Sequence, residues 1–143
     1  MKWVLALAYS RPPKGLSAND RAHWRTKARS TAEVRNLVVA LARSAGIPQL
    51  QRVQVELVWV VKDHRKRDDD NLAPLAKACW DALASDRGVS ARIVPDDSPE
   101  FVTKMHPRIE YRPDETPHFE VTVTDISHRP DEVDQLTAER INR

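Results

Sequence analysis

The chain of 143 residues has a single cysteine, Cys79, so it has no internal disulfide framework. We expect a reducing, cytoplasmic setting, because structural disulfides are typical of oxidising compartments. No apolar run approaches the ~20 residues that a membrane span needs, so no membrane partner is expected. The short apolar run at residues 3–8 is followed by Ser10-Arg11-Pro12-Pro13 rather than by small residues, which favours a strand over a signal peptide.

Several common metal and phosphate motifs are also absent from the sequence. Only three glycines are present, and none forms a glycine-rich phosphate loop. The five histidines lack the paired spacing of a zinc site. An EF-hand loop starting at Asp68 would need glycine and glutamate where the chain has Ala73 and Cys79. These absences argue against a phosphate loop, a zinc site and an EF-hand.

Charge is nearly balanced overall, at +2, but it is segregated along the chain. The segment from Asp20 to Gly46 is mostly basic, with Arg21, Arg25, Lys27, Arg29, Arg35 and Arg43. A second basic group abuts three consecutive aspartates, and it consists of Lys62, Arg65, Lys66 and Arg67. Such segregation suits a site that binds phosphates and also holds a cation. The alternative is that both groups are simply solvated surface.

Hydrophobic periodicity predicts one α+β domain with a mixed β-sheet and two main helices, in the order β-α-β-α-β-β. The predicted strands are residues 2–9, 52–62, 101–111 and 118–126, and the predicted helices run from Asn19 or Asp20 to about Ala45 and from about Asn71 to Ala84. The strand at 52–62 is expected to be central, because both of its faces become apolar. Residues 1–126 form the predicted domain, and 127–143 a polar C-terminal tail.

The aspartates stand where a strand ends and a helix begins. In extended backbone, side chains two residues apart point the same way, so we expect Asp68 and Asp70 to project together and Asp69 to point away. Two carboxylates together suit Mg²⁺, with Mn²⁺ as a substitute. A third carboxylate is expected from Asp96 or Asp97, after the second helix.

Lys77 lies two turns after Asp70 if the helix is regular, so its ammonium would lie on the side of the aspartates. There it could steady a bound phosphate or activate a water molecule, and Asp81 could pair with it. Simpler interpretations stay open. Asp68 could be a helix N-cap, the Asp96 region a turn, and Lys77 a member of a surface ion pair.

Taken in order, these motifs resemble those of the RusA family of Holliday junction resolvases. Residues 67–72 match that family's Arg-Asp-x-Asp-Asn-Leu, residues 77–83 its Lys-x-x-x-Asp-Ala-Leu, and residues 96–97 its later Asp-Asp pair. Residues 16–24 resemble the segment after the first strand in phage-type members. The resemblance covers roughly residues 1–125, although residues 71–77 and 83–96 are longer than in the compact bacterial form.

The resemblance implies a homodimeric, Mg²⁺-dependent endodeoxyribonuclease that cuts four-way DNA junctions. It implies that Asp68, Asp70 and Asp97 are metal ligands, that Asp96 is an additional ligand, and that Lys77 is the catalytic lysine.

Contacts to DNA phosphates are expected from Arg21, Arg25, Lys27, Arg65, Lys66 and Arg67, and Trp24 is expected to stack on a base at a branch point. Two alternatives remain. One is a protein of the same fold that binds junctions without cutting them. The other is a small interaction module with no role in DNA metabolism.

Overall fold

The structure, a computed structural model, describes residues 1–127. In chain order it contains β1 (Lys2–Leu7), α1 (Trp24–Ser44), β2 (Val53–Val61), a 3₁₀ helix (Asp69–Leu72), α2 (Ala73–Ala84), β3 (Val102–Lys104), β4 (Arg108–Tyr111) and β5 (His118–Asp125). The predicted α+β class, with one mixed sheet and two main helices, is confirmed. The predicted tail lies outside the described residues apart from Ser127.

The five strands form one sheet in which β2 is central, as predicted. Its order is β1-β5-β2, and both β3 and β4 lie along the far side of β2. Strand β5 is antiparallel to both β1 and β2, whereas β3 and β4 are parallel to β2.

The prediction of a single strand at residues 101–111 is wrong, because this segment forms two strands. β3 pairs with the first part of β2, from Val53 to Val55, and β4 pairs with its last part, from Val58 to Val61. The break contains His106 and Pro107. Proline has no N–H to donate to a ladder, which explains an interruption at this point. The break puts His106 beside the middle of β2.

Helix α1 begins at Trp24 rather than at Asn19 or Asp20. His23 is its N-cap, and its Nδ1 accepts the N–H of Arg25 at 3.1 Å. Asp20 has another role, since its carboxylate accepts the N–H of Gly15 at 2.6 Å and that of Ala22 at 3.0 Å. Asp20 therefore fixes the loop after β1 instead of capping the helix.

The core lies between one face of the sheet and the two helices. Helix α1 contributes Val34 and Val38, both fully buried, and α2 contributes a nearly continuous apolar surface that includes Leu75 and Leu83. Full burial of such a side chain stabilises the fold by about 1.5–3 kcal/mol. On the sheet, the ring of Phe119 stacks against that of Trp59 at 5.4 Å. Within residues 1–127, no helix is long and apolar enough to cross a membrane.

Candidate functional site

The three aspartates lie at the start of the 3₁₀ helix, not in an extended segment. Asp68 has extended backbone angles, and its Oδ1 accepts the N–H of Asp70 at 3.0 Å. The chain turns into the 3₁₀ helix at Asp69, so the extended spacing assumed from the sequence is wrong. Asp68 is an N-cap, which is the simpler of the two sequence interpretations.

Asp69 and Asp70 meet His106 from the break between β3 and β4. The Nε2 atom of His106 lies 3.1 Å from Oδ1 of Asp69 and 3.4 Å from Oδ1 of Asp70. Each residue offers one ligand atom, and these atoms lie within 4.8 Å of one another. This Asp69–Asp70–His106 cluster could hold a metal ion. The expectation that Asp69 points away from the site is therefore wrong, and His106 was missed.

The cluster is open to solvent, and its carboxylates act on the imidazole of His106. The pKa of His106 is raised, first by its hydrogen bond to Asp69 and then by the negative charges of Asp69, Asp70 and Asp68, against an opposing effect of desolvation. The neighbouring carboxylates therefore favour the protonated form of the imidazole. The side chains of Asp69 and Asp70 are 45% and 78% exposed, so ions in solution can reach them.

The cluster offers two carboxylate oxygens and one imidazole nitrogen as metal ligands. Mg²⁺ takes oxygen ligands and is usually held by one or two carboxylates while it keeps several waters, which Asp69 and Asp70 satisfy. Imidazole nitrogen is a softer donor that first-row transition metals accept readily. The two carboxylates fit Mg²⁺ or Mn²⁺, and the imidazole of His106 adds a nitrogen donor that transition metals accept.

The acidic pair predicted as a distal ligand lies in a separate set of contacts. Oδ2 of Asp97 is 3.6 Å from Nζ of Lys104 on β3. Oδ1 of Asp96 accepts the N–H of Ser98 at 2.8 Å, and hydrogen bonds from the side chain and backbone of Ser98 lower the pKa of Asp96. Among residues 1–127, neither carboxylate joins the Asp69–Asp70–His106 cluster. The turn interpretation of Asp96 is confirmed.

Lys77 forms the ion pair predicted from the spacing on α2. Its Nζ lies 3.2 Å from Oδ2 of Asp81, and its side chain is 76% exposed. Among the described residues, the only polar partner of its ammonium is Asp81. The structure therefore gives Lys77 a surface ion pair, and a catalytic role for it stays a prediction.

An open cleft of about 1130 Å³ lies beside the aspartates. One wall is the loop after β1, another is Trp59 of β2, and the third is formed by residues 66–69 with Asn71 and Leu72. The N–H of Ala18 donates to the carbonyl of Asn71 at 3.0 Å and so ties the loop to the 3₁₀ helix. The cleft has a basic lining of Arg11, Lys14, Lys66 and Arg67 and an acidic lining of Asp20, Asp68 and Asp69. Asp69 belongs both to this wall and to the cluster.

The three basic residues before the aspartates differ in how available they are to bind an anion. Arg67 is only 18% exposed, donates to the carboxylate of Asp63 at 2.7 Å, and lies 5.1 Å from the ring of Trp59. Arg65 is 85% exposed, 3.7 Å from Asp63. Lys66 lines the cleft and has no ion-pair partner within the described part of the chain. Arg67 therefore holds the turn in place, while Lys66 is available to an anion.

The remaining predicted DNA contacts lie around the start of α1. Arg21, Arg25 and Lys27 are exposed, and Trp24 is 67% exposed. The guanidinium of Arg25 lies 5.3 Å from the ring centre of Trp24. These residues form a second basic surface, outside the set that lines the cleft.

The comparison with known proteins finds a similar protein but assigns no activity. No protein-family profile matches the chain. The chain is similar to an uncharacterized protein of Xylella fastidiosa (strain Temecula1), with 26% identity over 134 residues that cover 90% of this chain and 82% of that protein. The resemblance to RusA proteins thus stays a prediction from the motifs.

Proposed function

We propose that this chain is a Mg²⁺-dependent endodeoxyribonuclease that cleaves four-way or related branched DNA junctions, as RusA-type resolvases do. One observation carries the proposal. Asp69 lies in the wall of a cleft that basic and acidic side chains line together, and it is also a member of the Asp69–Asp70–His106 cluster. A cation held beside a phosphate-binding surface is the arrangement that metal-assisted phosphodiester hydrolysis needs.

Each part of the site has a role in this proposal. Asp69 and Asp70 hold the divalent ion, which when bound polarises the scissile phosphate and lowers the pKa of a water molecule. His106 forms a hydrogen bond with Asp69 and so holds that carboxylate in place before the ion enters. Lys14 and Lys66 contact phosphates of the strand in the cleft. Asp68 keeps the 3₁₀ helix in place through its N-cap hydrogen bond.

The sequence motifs extend this proposal to Lys77 and Asp97. Lys77 would act as the catalytic lysine once released from Asp81, and Asp97 would join the metal ligands once released from Lys104. Asp97 is paired with Lys104, which precedes His106 by two residues in the sequence. A homodimer would present two such sites to opposed strands of a junction.

A second candidate function is junction binding without cleavage. It is favoured by the ion pair between Asp97 and Lys104, because the predicted distal ligand is already paired with a cation. Such a protein would bind branched DNA in a salt-dependent way but would not cut it with Mg²⁺ or Mn²⁺.

The deciding experiment is cleavage of an end-labelled four-way junction with Mg²⁺, and separately with Mn²⁺. We expect wild-type protein to cut symmetrically, and Asp69→Asn and Asp70→Asn to lose at least ~100-fold in rate, on the scale of other losses of electrostatic stabilisation. Asp86→Asn is the matched control, because Asp86 is an exposed aspartate outside the cluster. Equal cutting by both cluster variants would disprove the metal assignment. Binding by wild-type protein without any cutting would leave the second candidate.

A further inference from the structure

Three consecutive residues at the start of α1 present flat side chains to solvent. The ring centres of His23 and Trp24 lie 5.6 Å apart at an interplanar angle of 32°, and the guanidinium of Arg25 lies 5.3 Å from the ring centre of Trp24. The hydrogen bond from the N–H of Arg25 to Nδ1 of His23 fixes the imidazole at the helix end. We call His23, Trp24 and Arg25 the stacking platform.

Trp24 is an unusual member of its helix. Its side chain is 67% exposed, and it is the one large apolar residue of α1 that is exposed in the described structure. The apolar face of α1 is already used, because Val34, Val38 and Val39 are buried in the core. An exposed tryptophan beside cations is typical of surfaces that bind a flat, negatively charged partner.

The basic side chains around the platform are unpaired in the described part of the chain. Arg21, Arg25, Lys27 and Arg29 are exposed, and within residues 1–127 none of them forms an ion pair. The nearest acidic side chain in the sequence, Asp20, is occupied by the N–H groups of Gly15 and Ala22. Net positive charge of this kind attracts phosphates without reading sequence.

The platform is joined to the cleft by direct packing. Gly15 approaches the start of α1 so closely that a Cβ there would lie 2.9 Å from Cα of Lys27, and its φ is +88°. Ser30 donates to the carbonyl of Lys14 at 2.6 Å, and Lys14 lines the cleft. The loop that carries Lys14 in the cleft wall therefore packs directly against the first turns of α1.

We propose that an unpaired base of a branched DNA strand stacks on Trp24 while the same strand continues into the cleft. Arg21, Arg25 and Lys27 hold the adjoining phosphates. This inference rests on the proposed function, because it assigns the platform to the branch point of the same substrate. It makes recognition depend on an unstacked base of any identity, since every base has a face that an indole ring can contact.

A membrane surface is the less suitable partner. A helix that lies on a bilayer needs a continuous apolar face, and the apolar face of α1 is buried in the protein core. A single exposed indole gives little area for insertion, whereas it is sufficient to stack one base. Binding to phosphatidylserine vesicles tests this alternative directly.

The test uses the full chain without Mg²⁺ and a four-way junction with 2-aminopurine as an unpaired base at the branch. Stacking quenches the probe, so we expect quenching with wild-type protein and about tenfold weaker binding with Trp24→Ala. Trp24→Phe keeps a ring and should bind within roughly threefold of wild type. Arg43→Ala is the control for charge and fold, because Arg43 lies at the other end of α1, roughly 28 Å away. For a fully paired duplex, the affinities of Trp24→Ala and wild type should differ by less than about twofold.

Several results would overturn the inference. Equal probe binding by wild type and Trp24→Ala would do so. Loss of a dimer in Trp24→Ala with quenching intact would also overturn it, because it would indicate that a second copy is the partner of Trp24. Trp24-dependent binding to phosphatidylserine vesicles without probe quenching would overturn it as well. Quenching by a wild-type protein that never cuts would refute the proposed cleavage alone. Cutting without quenching would refute the stacking alone.

Discussion

Nε2 of His106 lies 3.1 Å from Oδ1 of Asp69, although 37 residues separate them in the chain. The contact exists because the 3₁₀ helix after β2 lies against the break between β3 and β4. It joins the aspartate motif to a histidine that no local pattern connects with it.

The first prediction concerns metal binding by this cluster. Asp69→Asn should weaken Mn²⁺ binding by roughly tenfold or more, because the charge of the ligand set governs affinity for divalent ions. Titration of Mn²⁺ followed by electron paramagnetic resonance measures free and bound metal without any DNA. Asp86→Asn should bind Mn²⁺ as wild type does. An unchanged affinity in Asp69→Asn would remove Asp69 from the metal site.

A second prediction separates Lys66 from the surrounding charges. If Lys66 contacts a phosphate, Lys66→Ala should lower the slope of log K against log salt by about 0.7–0.9. Arg43→Ala should leave the slope unchanged, since Arg43 is exposed at the far end of α1. Fluorescence anisotropy of a labelled junction at several salt concentrations gives both slopes. The same slope in Lys66→Ala and wild type would show that Lys66 does not contact the backbone.

The third prediction compares two arginines that share a partner. Arg67→Ala should reduce the free energy of unfolding by about 1–3 kcal/mol, because Arg67 is only 18% exposed and donates charged hydrogen bonds to the carboxylate and the carbonyl of Asp63. Arg65→Ala should change it by less than about 0.5 kcal/mol, because Arg65 is 85% exposed. Urea denaturation monitored by circular dichroism provides both values. Equal effects would mean that Arg67 does not organise the turn.

The fourth prediction is a dependence of stability on pH through His118. Its pKa is raised, first by the hydrogen bond with the carbonyl of Thr116 and then by that with Glu120, while Glu120 is also held by Arg112. The charge of Glu115 acts in the same direction. A raised pKa means that the folded state binds the proton more tightly than the unfolded state.

The stabilisation from His118 is therefore fully present below its ordinary pKa of 6.5, and it is lost as the pH rises through the raised value. His118→Gln should flatten this part of the stability curve. Urea unfolding at a series of pH values between about 5.5 and 8.5 tests it. Wild type and His118→Gln with parallel curves over that range would contradict the prediction.

Local patterns determined much of the fold. The spacing of Leu72, Leu75, Cys79 and Leu83 correctly predicted α2, and the apolar run at residues 52–62 correctly predicted a central β2. The ion pair of Lys77 with Asp81 also followed from sequence spacing. These features depend on residues within one or two turns of each other, or on the composition of a single strand.

Other local contacts depend on competition between possible hydrogen-bond partners, which the sequence does not show. Asp20 is a good N-cap residue, yet it bonds to Gly15 and leaves the cap of α1 to His23. The sequence did contain a signal for the break at 105–107, because Pro107 cannot donate to a ladder from within a strand.

The sequence by itself determined the position of an acidic motif between a central strand and a helix. Only the tertiary structure decided which of its carboxylates meet a third group. The 3₁₀ turn directs Asp68 to a backbone N–H, and the interrupted sheet edge brings His106 to Asp69 and Asp70. The physical reason is that the rotation of a turn and the packing of distant strands set these distances, and neither is encoded by spacing along the chain.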